Sequence, residues 1–502
     1  MLVLGSTGEF RCSAKWVNES LVLRGPENGF FGYKLDSLSG DNGIYTEWNT
    51  NNDILTIFND RFGMYPIYYT RTSSGVNFSS SIANLLADED HYQIDSAAVA
   101  VFLRMGIFIG DTTPFSEIKA LPPGAKLQFD RNGLSIENRE ISCGKNVTPS
   151  IKDAQNIYGE LFKSSVLKFR EAFPKKIGIP LSGGRDSRHI IFELMASGLK
   201  PYSCITMKHQ PPKPNEDAKI AKEVCQYFNF KHVILEQDLS ILRMEKEKNI
   251  LTNFCSLDHS WILPLSRYLL EEGYDAIFDG IGGDVLSAGL FLTEHRLNLY
   301  NRNKFEELAN EILGFEGHLP HMLTNSAYSR FNRDIAVNLL VQELKRYVNT
   351  PNPIGQFFFW NRTRRVVALS SWGILGQKTH VFAPYLDHEL YNFLTSLPAE
   401  YFLDHTFHQN TIAKQYPAYA HLPYETKMQL PQKGGVASNY FQLAEFTRFS
   451  LGSLVKPSMC RPSFFYLRLF KSLLSMKYYD QFKGTYQVPI YLSQLAEYYR
   501  GI

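Results

Sequence analysis

Nowhere in the 502 residues do about 18 apolar residues run unbroken, and no long basic or acidic block disturbs a formal net charge of +2. Those two absences predict a chain that does not insert into a membrane and has no electrostatic case for nucleic acid. Cysteine is scarce: Cys12, Cys143, Cys204, Cys225, Cys255 and Cys460 are scattered, with no close pair at metal-ligand spacing. This pattern predicts reduced thiols, mostly in the core, in a cytosolic protein. The opening Met1-Leu2-Val3-Leu4-Gly5 lacks the basic flank and long apolar core of a signal peptide, so the expected location is cytoplasmic. Repeats and low-complexity segments are missing too. What remains is 44% hydrophobic and 14% aromatic, enough for well-packed cores, and the length exceeds one ordinary core, so two domains are expected.

The most informative stretch runs from Ile177 to His189, Ile-Gly-Ile-Pro-Leu-Ser-Gly-Gly-Arg-Asp-Ser-Arg-His: a short apolar strand, a glycine turn, then a helix. Gly183 and Gly184 let backbone approach an anion with no Cβ in the way, and the helix start turns free N–H groups to the same point. Ser182 and Ser187 add hydroxyl donors. Asp186 would repel bound phosphates unless a divalent cation lay between, so it predicts magnesium. The loop lacks the lysine of a Walker A motif and the third glycine of a dinucleotide fingerprint. Ser-Gly-Gly would also serve an ordinary tight turn, but a second loop of the same kind, Asp279-Gly280-Ile281-Gly282-Gly283-Asp284, follows the apolar run Ala276–Phe278. Two such loops favour a nucleotide-phosphate role.

Residues 1–145 read as β-rich, with strands expected at Ile54–Asn59 and Pro66–Thr70. A polar stretch over Ser142–Ser150 reads as a linker. From Ile151 helices and strands alternate: a helical stripe at Ile190, Ile191, Leu194 and Met195 ends near Gly198, and strands at Tyr202–Met207 and His232–Leu235 flank a helix over Glu216–Phe228. That βαβ order predicts a parallel sheet with both loops at its ligand-binding carboxyl edge. Beyond residue 295 the chain reads as helical. In Ser463–Met476, arginine and lysine punctuate an apolar face, which fits packing against the chain's own domain or a protein partner, or a membrane-surface helix.

The Ser182-Gly183-Gly184-Arg185-Asp186-Ser187 run resembles the pyrophosphate loop of the asparagine synthetase group, which includes β-lactam synthetases and lasso-peptide macrolactam synthetases. Further fragments agree in order: Asp60-Arg61-Phe62-Gly63 with Pro66, Tyr68 and Tyr69; Thr113-Pro114-Phe115 with Leu121-Pro122-Pro123-Gly124; Glu216-Asp217; the Gly280–Gly289 run; and Pro384-Tyr385-Leu386-Asp387. The resemblance covers about residues 29–435. It implies an α/β protein: a parallel-sheet, ATP-pyrophosphatase-type synthetase domain at 150–435 behind a truncated, degenerate β-rich glutaminase-like domain of the N-terminal-nucleophile type at 1–145. Residues 436–502 would be a helical extension that could meet a second copy or a protein partner.

By the same resemblance, ATP and Mg2+ are the cofactors, Asp186 and Asp284 are magnesium ligands, and Leu181, Ser182, Gly183, Gly184, Arg185, Asp186, Ser187, Gly280 and Gly282 bind the nucleotide. Arg185 is open between a phosphate fork and a surface arginine. A late catalytic lysine is implied, and after Leu422-Pro423 either Lys427 or Lys433 could serve. His405 and His408 have metal-like spacing but no recognisable third ligand, so both are expected at the surface.

Three departures shape the functional expectation. Ile281 replaces the glutamate or tyrosine usual between the first two glycines of the second loop and can neither accept nor donate a proton. His380 and Phe382 replace the charged residues expected before Pro384. Leu2 stands where glutamine-using members carry a catalytic cysteine, and the segment before Gly29 is short. The implied activity is an ATP-dependent, AMP-forming carbon–nitrogen ligase that does not use glutamine, acting on a small-molecule or peptide carboxylate and amine. The alternatives are adenylation of a nucleobase-type substrate and a non-catalytic nucleotide-binding scaffold.

Overall fold

The structure is a computed structural model in which residues 2–35, 40–87, 92–138, 143–210, 215–424, 436–452 and 459–498 are described. The front half holds two antiparallel sheets. One is six-stranded, in the order Val3–Leu4, Gly29–Lys34, Gly43–Asn51, Ile54–Asn59, Lys126–Asp130 and Gly133–Glu137. The other is five-stranded, in the order Ser20–Arg24, Arg11–Val17, Gly75–Ser79, Tyr68–Arg71 and Ile118–Ala120. Aromatic side chains join them: Trp48 of the first sheet meets Phe78 of the second edge-on at 5.4 Å, and Phe10 fits against both.

The back half is built on a wholly parallel sheet in the order His232–Glu236, Ser203–Lys208, Ile177–Pro180, Ala276–Phe278 and His380–Phe382. The helix Asp186–Ala196 makes the first crossover, burying Ile190, Ile191 and Leu194, and Gly198 follows it at φ +72°. Glu216–Phe228 makes the second and ends on Asn229 at φ +53°. Because Ile177–Pro180 and Ala276–Phe278 are neighbours, the loops that follow them leave the same edge of the sheet side by side.

The two halves are sewn together by polar and aromatic contacts. Phe62 packs edge-on against Phe359 and Tyr391, and the Arg61 guanidinium donates to Asn392 Oδ1 at 2.6 Å. Arg364, 4% exposed at its side chain, donates to Gly110 O, Asp111 Oδ1 and Leu121 O, and Arg365 donates to Thr112 O. The expected linker is part of this seam. Gly144 N donates to Thr395 Oγ1 and Val147 N to Ser396 O, so residues 143–150 are tied to the helix His388–Ser396.

Among the described residues four α-helices close the chain: Val436–Gly452, Pro462–Leu474, Met476–Phe482 and Gln487–Tyr498. They pack on the body of the chain. Gln494 accepts from Asn249 Nδ2 at 2.7 Å, and Tyr491 meets Phe102 of the front half at 4.6 Å. The helix Pro462–Leu474 buries Phe464, Phe465 and Leu469 inward, while Leu467, Phe470, Leu473 and Leu474 remain exposed. Among the described residues no helix is long and apolar enough to cross a membrane.

Candidate active site

The first loop leaves the sheet at Leu181, whose carbonyl accepts from Thr206 Oγ1 at 2.8 Å on the neighbouring strand. Asp217, at the start of the second crossover helix, accepts from Gly183 N at 2.6 Å, and Gly184 N donates to Ser182 Oγ at 3.1 Å. Arg188, fully buried, donates to Gly183 O and to Pro423 O and lies over the Tyr424 ring at 4.0 Å. Thus the loop is braced from both sides. Ser187 Oγ is buried and meets no hydrogen-bond partner among the described residues. A buried hydroxyl at a helix start fits an added acceptor such as a phosphate oxygen.

The second loop is held by Asp279, whose carboxylate accepts from Ile281 N at 3.0 Å and from Ser371 Oγ at 2.6 Å. Gly282 takes φ +91°, which folds the chain back into the short helix Gly283–Ser287. The loops touch. A Cβ on Gly280 would lie 2.7 Å from Asp186 Cβ, and one on Gly283 would lie 2.6 Å from Asp186 Cγ and Oδ1. Only glycine permits this approach, so these positions seat the Asp186 carboxylate.

The contact brings Asp186 within electrostatic reach of Asp284, the residue after Gly283. Burial, and then the charge of Asp186, pushes the Asp284 carboxyl up to about 6, with Arg362 at 3.8 Å opposing. The Asp284 side chain is 40% exposed, so water screens part of this repulsion. Asp279 is raised as well, first by burial, with its hydrogen bonds from Ser371 and Ile281 working against the shift and the Asp186 charge adding to it. Crowded carboxylates with little cationic compensation fit a divalent cation. Among the described residues no group of three or more His, Cys, Asp or Glu could hold a metal ion.

His408 is not at the surface as its sequence context suggested. It is 1% exposed, with Nε2 at 3.1 Å from Asp186 Oδ1 and Nδ1 at 2.8 Å from both Tyr158 Oη and Ser287 Oγ. The helix Phe407–Gln415 turns this residue inward behind the loops, while His405, on the preceding turn, stays exposed with Nδ1 at 3.0 Å from Ala288 O. Arg185 donates to Gln409 Oε1 and lies over the Tyr424 ring at 5.4 Å, at the rim of the first loop. Lys427 and Lys433 lie outside the described residues. His380 sits at the amino end of its strand, opposite Ala276, and is therefore remote from the loops.

Beside the loops opens a cavity of about 260 Å³ whose lining includes the polar Ser182, Thr206, Asp217 and Asp279 and the apolar Ile205, Met207, Trp261 and Leu265. A mainly apolar lining with a few polar groups suits a small-molecule ligand. Sequence reading missed Asp217, Asp279, His408 and Arg362 as site residues. Asp279 had a signal, as the first residue of the second loop, and Asp217 one in the Glu216-Asp217 fragment.

Two families match in succession: the glutamine amidotransferase domain over residues 33–139 and asparagine synthase over residues 160–364. In the order of these two regions the chain resembles the asparagine synthetase-like family. Among curated proteins it is 26% identical to asparagine synthetase (glutamine-hydrolyzing) 1 of Bacillus subtilis (strain 168) over 173 residues, 32% of this chain and 26% of that protein. It is 24% identical to asparagine synthetase 3 of the same strain, over 42% of this chain and 38% of that protein. To asparagine synthetase 2 it is 20% identical over 76% of this chain and 54% of that protein. The chain thus spans about a quarter to just over half the length of these relatives. The fold agrees with the family: a β-rich glutaminase-like front half and a parallel-sheet synthetase half, the loops of Asp186 and Asp284 lying within and beside one another in the asparagine synthase match.

Proposed function

We propose that the protein is an ATP-dependent ligase that joins a carboxylate to an amine through an acyl-adenylate, releasing pyrophosphate and then AMP. The observation that carries this reading is the contact between two glycine-aspartate loops on adjacent parallel strands, whose Ser182 and Asp279 also line a cavity of mixed polar and apolar residues. The first-turn amides of the helix Asp186–Ala196, with the Ser182 and Ser187 hydroxyls, would grip the β- and γ-phosphates. Asp186 and Asp284 would hold Mg2+, which when bound supplies positive charge against that developing on departing pyrophosphate. A carboxylate oxygen of the substrate attacks the α-phosphorus as the bond to the β-phosphate oxygen breaks. An amine then attacks the acyl carbon, and AMP leaves. No disulfide joins the six cysteines, in keeping with the reducing, cytoplasmic setting of this reading.

Carboxylate-dependent exchange of labelled pyrophosphate into ATP tests the first step, and chromatography of the spent nucleotide should show AMP. Stoichiometric ADP and phosphate would instead mean acyl-phosphate chemistry. Ile281, 4% exposed and without any proton to give or take, favours a second reading, a nucleotide-binding scaffold. Nucleotide binding without exchange for any carboxylate would establish it.

Glutamine is not the proposed nitrogen source. The front half contains two cysteines. Burial pushes the Cys12 thiol up to about 12, and the Cys143 thiol is raised as well, so neither presents a thiolate nucleophile at neutral pH. Leu2 is buried in the sandwich core and has no thiol. Purified protein is expected to release no glutamate from glutamine, with or without ATP. Glutaminase activity that survives Cys12→Ala would show that another nucleophile has been overlooked.

A further inference from the structure

A second cavity, about 420 Å³, lies on the other side of a single helical wall. The π-helical stretch Phe359–Val367 is that wall: Arg362 and Val366 face the second cavity, Val367 and the following Ser370 face the nucleotide cavity, and His259 borders both. His259 itself is held at φ +78°, a backbone conformation that non-glycine residues adopt at some cost. All three parts of the chain meet here. Met105 and Ile107 come from the front half, Phe291 and Phe358 from the synthetase half, and Gln487 from the C-terminal helices.

Three arginines border the cavity, and they are not equivalent. Arg104 is committed to Glu316, with two bonds of 2.8 Å, and Arg296 to Glu311 Oε1 and Phe291 O, each at 2.9 Å. Arg362 makes no hydrogen bond among the described residues. Its guanidinium lies over the Phe291 ring at 5.1 Å and 3.8 Å from Asp284 Oδ2, one-third exposed at the side chain. Arg362 keeps donors beyond its contact with Asp284, and the lining around it combines the apolar Met105, Ile107, Leu257, Phe291, Ile312 and Phe358 with the polar Asp258, His259 and Gln487. One carboxylate finds Arg362 there; a second, as in aspartate, meets the Asp258 carboxylate and no uncommitted arginine.

We propose that this chamber binds the acyl substrate of the ligase reading above, that the substrate class is a monocarboxylic acid with a bulky, preferably aromatic, apolar body, and that Arg362 holds its carboxylate beside Asp284. The π-helical wall then separates acid from nucleotide everywhere except at the loops, where the carboxylate reaches the α-phosphate. The inference rests on the ligase reading for the word substrate, but the binding itself can be measured without turnover.

Ligand-observed NMR on the full chain, using 4-phenylbutyrate, 4-phenylbutyramide and aspartate as probes, tests it. Saturation transfer is expected to 4-phenylbutyrate, at least tenfold weaker to the uncharged amide, and none to aspartate. Arg362→Gln should weaken 4-phenylbutyrate at least tenfold, Arg362→Lys should restore part of the loss, and Met105→Trp should block the chamber, each variant being checked for an unchanged thermal midpoint. Equal binding of aspartate, or unaltered 4-phenylbutyrate binding in both Arg362→Gln and Met105→Trp, would overturn the proposal. If 4-phenylbutyrate binds as expected yet no carboxylate supports pyrophosphate exchange, the chamber stands and the ligase reading falls. Exchange with aspartate and no binding of 4-phenylbutyrate would do the reverse.

Discussion

Asp186→Ala and Asp284→Ala are each expected to lower magnesium-dependent ATP turnover by about a thousandfold or more, since each removes half of the carboxylate pair that would hold the metal against the phosphates. Folding should survive. Asp284 sits in an environment that disfavours its charge, so Asp284→Asn relieves repulsion with Asp186 and is expected to leave the thermal midpoint of the metal-free protein unchanged or higher. Loss of turnover with retained stability is therefore the signature of a functional carboxylate. Asp186→Ala also strips the oxygen nearest to His408 Nε2, so a small fall in midpoint is expected there. Full turnover in both alanine variants, measured as AMP released at saturating magnesium, would refute the assignment.

Gly283→Ala is expected to cost about a hundredfold in turnover without unfolding the protein. Gly283 begins a helix and does not occupy the left-handed region, so alanine suits its backbone. The damage is steric. The added methyl would lie 2.6 Å from Asp186 Oδ1 and 3.0 Å from the Tyr385 ring, and the Tyr385 ring is packed on Phe162 in the core. Asp186, 26% exposed at its side chain, is the group free to move, and a displacement of about 1 Å in a reacting constellation costs about 10² in rate. Thermal midpoint and AMP release measured on the same preparation separate this from misfolding. Wild-type turnover in Gly283→Ala would mean that the two loops do not need to touch for catalysis.

The ordered sequence fragments turn out to have two physical origins. Ser182–Ser187 and the Gly280–Gly289 run are at the site. Asp60–Gly63 and Leu121–Gly124 instead belong to the seam between the halves, and Pro384–Asp387 serves both: Asp60 accepts the Phe62, Met64 and Tyr65 amides, Leu121 O accepts from Arg364, and Asp387 accepts from Lys168 and Asn42, while the Tyr385 ring lies against Gly283 at the site. Seam and site look alike in a linear sequence, because both demand particular residues at particular positions.

By itself the sequence determined four of the five parallel strands, their crossover helices, the two glycine-aspartate loops and the carboxylates in them, while the fifth strand, His380–Phe382, lies in a region that reads as helical. Each of those is written locally, in an apolar run of strand length, a glycine where backbone must turn, or a helical stripe such as Ile190, Ile191 and Leu194. Tertiary structure alone decided that strands 99 residues apart are neighbours, at Ile177 and Ala276, so that the loops meet. It also brought His408 behind Asp186 and set Arg362 between two cavities. His408 lies on a short amphipathic helix and Arg362 in a nearly continuous aromatic and arginine run, Phe357-Phe358-Phe359-Trp360-Asn361-Arg362. In neither place does local periodicity distinguish the residue that faces the site from its neighbours, because that choice is made by the elements packed against it from far along the chain.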